Sequence, residues 1–211
     1  KVDGSVSSMS RPLKHGKIDS FIRYNEAVPI LTKVLAKNEQ TFNTIVSSRK
    51  PFGLPTSFKN FTQENFDGAL KIFANQKTGY VQKSLVTKNN QWIAKHKIIM
   101  PYAVGSGDGK TDKFNPIHSP PNSICTETYL VIGVSDDAER VNNIISYINT
   151  RFFHFLVTLR KNTQHATQTV FEFVPLQDFN KSWSDDELFK IYEFSDNEIN
   201  WINSNILPEK S

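Results

Sequence analysis

Apolar positions set the first divisions of this chain. Ala27, Ile30, Leu31, Val34 and Leu35 recur at helical spacing, with Pro29 tolerable in a first turn, and Thr41 is placed to cap a second helical piece running through Val46. Residues 49–56 then break the period, because each proline biases its predecessor away from helix and Gly53 permits a turn. Short apolar runs at 70–74, 80–82 and 97–100 predict strands, with a helical turn near 87–94. Residues 102–122 lack periodicity and are rich in Gly, Pro, Lys and Asp, which predicts a long binding loop. The β-branched and aromatic run 123–134 predicts one continuous strand. The acids from Asp136 to Glu139 open a helix buried through Val141, Ile144, Ile145 and Ile148. A helix from Thr150 carries Phe152, Phe153, Phe155, Leu156 and Leu159 almost all round, as a central core helix does. Residues 170–175 predict a further strand that Pro175 ends, and Ser184-x-x-Glu187 and Ser195-x-x-Glu198 are capping boxes opening two short helices. The pattern predicts an α+β domain over 24–211, with strands, packed helices and long loops, behind a polar lead-in at 1–23.

Charge divides the chain into unlike halves. Residues 1–120 hold 18 Lys/Arg against 8 Asp/Glu, and residues 121–211 hold 7 against 13, so halves of +10 and −6 lie beneath the net +4. A Lys-rich half with Gly-rich loops attracts a polyanion, while the acidic helical half reads as support or a docking surface. The 211-residue chain is long enough to bury a core without staples. Its single cysteine, Cys125, lies in an apolar run and reads as a buried small hydrophobe, which fits a reducing, cytoplasmic setting. No apolar run reaches the roughly 20 residues a membrane helix needs. A start at Lys1 without methionine reads as a segment of a longer polypeptide.

Tests for catalytic chemistry are negative. Gly105-Ser106-Gly107-Asp108-Gly109-Lys110 resembles a phosphate loop but lacks the four-residue glycine spacing and the following helix. Ser119-Pro120-Pro121-Asn122 resembles the amino-methyltransferase signature, yet Asn122 stands where a base-stacking aromatic belongs, so the segment reads as a turn. The five histidines lack metal-site spacing, and His154 reads as a core residue. Glu127 is the nearest approach to a nuclease carboxylate and reads as a paired or outward-facing strand residue. The basic and aromatic loop positions carry more weight together. Phosphate contacts are expected from Lys50, Lys59, Lys77, Lys83, Lys110 and Lys113, and base-edge or groove contacts from Arg49, Tyr80, Ser106, His118, Gln164 and His165.

Residues 45–54 (Ile-Val-Ser-Ser-Arg-Lys-Pro-Phe-Gly-Leu), 125–133 (Cys-Thr-Glu-Thr-Tyr-Leu-Val-Ile-Gly), and Arg151-Phe152-Phe153 followed by residues 161–165 (Lys-Asn-Thr-Gln-His) and 173–176 (Phe-Val-Pro-Leu) occur in order ahead of residues 183–188 (Trp-Ser-Asp-Asp-Glu-Leu). Together they resemble the C-terminal target-recognition region of adenine-specific (N6) DNA methyltransferases of bacterial restriction-modification systems, over roughly residues 25–205. The plan is also similar to recognition domains of type I specificity subunits, which implies a curved mixed sheet with packed helices and long loops that enter the major groove. The resemblance implies a sequence-specific duplex-DNA recognition module. Methyl transfer from S-adenosylmethionine would belong to a separate catalytic domain in the same polypeptide or complex, with no cofactor in this segment. A restriction endonuclease segment and a protein-docking module of a modification complex are the alternatives.

Overall fold

The structure is a computed structural model that describes residues 22–103, 113–161 and 165–206. Among these residues it is an α+β fold of five α-helices and two three-stranded sheets. Helix α1 (Ala27–Ala36) leads into a 3₁₀ turn (Phe42–Ile45) and the loop that follows. Strands β1 (Ala69–Ala74) and β2 (Lys77–Gln82) form a hairpin, and β3 (His96–Pro101), β4 (Ile117–Ser119), β5 (Ser123–Cys125) and β6 (Tyr129–Ser135) follow. Helices α2 (Ala138–Ile148), α3 (Arg151–Arg160), α4 (Asp185–Ile191) and α5 (Asp196–Asn205) complete the described fold.

The strands make two sheets rather than the single curved sheet expected. One has the order β2-β1-β5, with β1 antiparallel to β2 and parallel to β5; the other, β4-β3-β6, is antiparallel throughout. The reason lies in the run 123–134, which is two strands and not one. The Thr126 amide still donates to Phe73 O (2.9 Å), continuing the ladder to β1, but the Tyr129 amide turns back onto Thr126 O (3.1 Å) and the chain enters the second sheet. Glu127 therefore sits in a three-residue link between sheets.

Alternation along β3 and β6 sorts side chains onto two faces. Ile98, Met100, Leu130 and Ile132 join the larger core with the helices, whereas Ile99 and Val131 join a smaller core with Leu70, Ile72, Ile124 and Cys125. The β3–β6 pair is thus a wall shared by both cores, and burial on both faces accounts for the continuous apolar runs at 98–100 and 130–132. The larger core centres on α3, as its all-round apolar pattern predicts: Phe153 lies 5.0 Å from Phe42, 5.4 Å from Tyr147 and 5.7 Å from Phe114, ring centre to ring centre. Buried His154 packs edge-on to Phe114 at 4.9 Å, the core role expected of it.

Three other expectations are corrected. Residues 170–175 form no strand: a 3₁₀ turn (Gln168–Phe171) is followed by irregular chain held at Val174 O and by a bridge between Pro175 and Thr41. Val170, Phe171, Phe173 and Val174 are all buried, so the segment fills the core as a strap instead of alternating in and out. Thr41 holds the N-cap position of the 3₁₀ turn at Phe42–Ile45, but its side chain caps no amide; its hydroxyl donates to Asn43 Oδ1 (2.6 Å). Residues 102–122 are not all loop, because Ile117–Ser119 pairs with β3.

Both capping boxes form, each with the serine accepting from the third amide and the glutamate accepting from the serine amide. The Asp185 carboxylate also accepts the Arg151 and Phe152 amides (3.1 and 2.9 Å), tying α4 to the start of α3. Much of the acidic charge of the second half therefore serves helix starts, where the backbone presents unpaired donors.

Lys97 on β3 is fully buried. Its ammonium donates to Lys95 O (2.6 Å) and lies 3.4 Å from both Pro120 O and Ser123 Oγ, beside the hydrogen-bonded hydroxyls of Ser119 and Ser123. Burial pulls its pKa down to about 8, against a smaller opposing effect of Cys125. The folded state thus releases a proton well before the unfolded chain does, and Lys97 should add stability as pH rises from 8 toward 10. Buried Cys125, its thiol pushed up by burial, works in the opposite direction over that range, so a comparison of variants isolates the lysine. Measured by urea unfolding, the stability of wild type relative to Lys97→Met should increase by about 1–2 kcal/mol between pH 7.5 and 9.5, at up to 1.36 kcal/mol per pH unit. A constant difference would refute the assignment.

Candidate nucleic-acid interface

Strand directions bring several basic and aromatic groups to one end of both sheets. Parallel β1 and β5 finish together, with Phe73 opposite Cys125, and the link to β6 delivers Tyr129 opposite Pro101 at the end of β3. That end therefore collects the β1–β2 turn, the 126–128 link, Tyr102 and Ala103. Residue 165 joins them, since Ala103 bridges to His165, the Ala166 amide donates to Tyr102 O (2.7 Å), and the Tyr102 amide donates to Thr128 O (2.8 Å). Because β4 runs antiparallel to β3, Lys113 also lies toward this end, ahead of buried Phe114.

Arg49 is fixed from both sides. Ser47 pins the preceding chain to β6, its amide donating to Val131 O (2.8 Å) and its hydroxyl accepting from the Val131 amide (2.9 Å). Beyond it, Lys50 takes a left-handed backbone (φ 59°) in a turn closed by the Gly53 amide on Lys50 O, and Leu54 O accepts from the Glu127 amide (2.9 Å). The side chain of Arg49 is 59% exposed; its Nε donates to Glu127 Oε1 (3.0 Å) and its guanidinium carbon sits 4.9 Å from the centre of the Tyr102 ring. His165 stacks on Tyr102 as well, at 4.9 Å and an interplanar angle of 23°. Glu127 is thus a paired carboxylate that orients an arginine, as its sequence context allows. Nε is only one of five donor N–H groups on a guanidinium, so a planar acceptor can still be recognised by this side chain.

Lys59 from the loop and Lys77 from the start of β2 both line a cleft that opens at this same end. Arg49, Lys50, Lys59, Lys77, Lys113 and His165 are therefore grouped by the fold although they span more than 110 positions of sequence. Tyr80, Lys83 and His118 are not in the group. Tyr80 lies mid-strand opposite Lys71 and exchanges backbone hydrogen bonds with Thr62, and Lys83 follows β2 at the far end, in a recess with Asn65, Asp67 and Asn122. His118 on β4 faces His96, with Nε2 3.0 Å from its neighbour's Nδ1. Burial first, then His96 and Lys97, lower the His118 pKa against an opposing hydrogen bond to Asn142, so this ring favours the neutral form at pH 7 and offers phosphate little charge. Ser106, Lys110 and Gln164 lie outside the described residues.

Tyr102, Phe58 and Phe61 belong to this end but were not among the residues singled out from sequence. Their signals are present: an aromatic three residues before Gly105 of the Gly-rich segment, and two phenylalanines three apart around Lys59 in a proline-punctuated loop. No group of three or more metal-ligating side chains occurs among the described residues, and no described helix is long and apolar enough to cross a membrane. No protein-family model matches the chain, and a search of curated proteins finds no match either.

Proposed function

We propose that this chain is the sequence-specific duplex-DNA recognition module of a restriction-modification adenine-N6 methyltransferase, with methyl transfer from S-adenosylmethionine performed by a separate catalytic domain. The observation that carries the reading is the stack of Arg49 and His165 on Tyr102, held by Glu127 amid Lys50, Lys59, Lys77 and Lys113. Phosphate contacts fix register on a duplex, and a pre-oriented arginine reads a base edge. Holding that arginine in advance reduces the ordering cost of binding. The family resemblance in the sequence supports the same reading.

The test is binding to random-sequence duplex DNA over a salt series, by fluorescence anisotropy. The plot of log K against log salt should fall with a slope of roughly −4 to −6, at about −0.9 per phosphate neutralised. Absence of binding at low salt, with and without a partner catalytic domain, would overturn the proposal.

A further inference from the structure

We propose that the cleft between the loop and the β1–β2 hairpin is a binding site for one unpaired nucleotide of a nucleic-acid strand. The inference deepens the DNA-binding reading and rests on it, but names a ligand that a fully paired duplex does not present.

The cleft measures about 430 Å³ and is walled by Phe58, Lys59, Phe61, Gln63, Asn75 and Lys77 among others. That volume suits a single small ligand rather than a helix, since small-molecule sites run from about 300 to 1,000 Å³. Its chemistry has two parts. Phe58 and Phe61 are both half-buried, with rings inclined by only 22° and centres 6.4 Å apart, so they present similarly oriented faces on which a planar ring can stack. Lys59 comes from the loop and Lys77 from the hairpin; both are exposed, and neither ammonium has a partner among the described residues. None of the described lining residues is acidic. Aromatic faces beside unpaired cations match a base joined to a phosphate, the combination found in single-strand binding sites.

The mount is rigid. Thr62 and Tyr80 exchange backbone hydrogen bonds of 2.9 and 2.8 Å, and Gln63 donates to Thr78 O (3.2 Å), which straps the Phe58–Phe61 segment to β2. Gly79 makes the close approach possible: a Cβ there would lie 2.5 Å from both Thr62 O and the Phe61 ring. A base within a duplex has both faces covered by its neighbours, so only a looped-out, gapped or single-stranded nucleotide can use these rings.

The experiment compares three labelled DNAs by anisotropy with the full chain: a paired duplex, the same duplex with a three-nucleotide gap, and the single strand. Phe58→Ala and Phe61→Ala should each weaken the gapped and single-stranded probes by roughly 5- to 100-fold more than they weaken the paired duplex. Phe61→Trp, which keeps a stacking face, should restore binding, and circular dichroism identifies any variant that fails to fold. Free thymidine monophosphate in excess should compete weakly; equal competition on a nucleotide basis would mean a free-nucleotide site and overturn the strand assignment. If wild type binds the paired duplex but neither other probe better than it, or if the alanine variants lower all three alike, the cleft proposal fails and the duplex reading stands. Binding of unpaired probes with none to paired duplex would uphold the cleft and remove the duplex reading.

Discussion

Phe153→Ala should lower the unfolding free energy of this protein by about 3–5 kcal/mol, a large fraction of the roughly 5–15 kcal/mol typical of a folded domain. Phe153 is fully buried, and its ring touches Phe42, Phe114, Tyr147 and Phe171, which come from four separate segments. Truncation leaves a void whose walls are other rings, each held by its own neighbours, so the cavity cannot easily collapse. Urea denaturation is the measurement, and an unchanged dependence on urea would show that the loss is in the folded state. The effect should also reach the interface, because Phe114 anchors the chain just after Lys113, and the strap containing Phe171 follows His165. Phe153→Leu, which refills most of the volume, should recover more than half of the loss. A cost below about 1 kcal/mol for the alanine variant would show that this ring is not the hub that its position implies.

Arg49→Ala should weaken binding to the preferred DNA sequence by roughly 5- to 150-fold, the range of a base-reading arginine worth about 1–3 kcal/mol. Folding should suffer little: the ion pair with Glu127 involves a side chain that is 59% exposed, and such pairs contribute about 0–1 kcal/mol. The salt dependence separates two roles. A base-reading Arg49 leaves the slope nearly unchanged and relaxes sequence preference, whereas a phosphate contact removes about 0.9 from the slope at every sequence. Arg49→Lys should not rescue discrimination, because an ammonium lacks the planar fork that both stacks on Tyr102 and pairs with a base edge. Unchanged affinity of Arg49→Ala across all duplexes would remove Arg49 from the interface.

Elements specified by local chemistry were legible in the sequence. The capping boxes at Ser184 and Ser195 depend on residues three apart, and the apolar girdle of α3 needs no knowledge of its partners. What escaped were features decided at a distance. Nothing within 123–134 marks the change of sheet at 126–128, since Thr-Glu-Thr is as compatible with an exposed strand stretch as with a link. Residues 170–175 have strong strand propensity, yet their partners at 40–42 offer only an isolated bridge, so packing overrode propensity. The site was half legible for the same reason. Lysine-rich loops could be named, but which of them share an end follows from strand direction: Lys77 begins β2 and Lys83 follows it, so two similar lysines on one hairpin face opposite ends.

The wall formed by β3 and β6 has a consequence for how the molecule opens. With Ile98 and Ile132 committed to one core and Ile99 and Val131 to the other, neither core can melt while its neighbour stays intact. The backbone amides of these strands should then exchange with deuterated solvent only through global unfolding, as the slowest set in the protein. Sequence changes in the loops at the sheet ends therefore need not be compensated inside, and a scaffold of this kind can alter what its surface contacts while its cooperative unit remains the same.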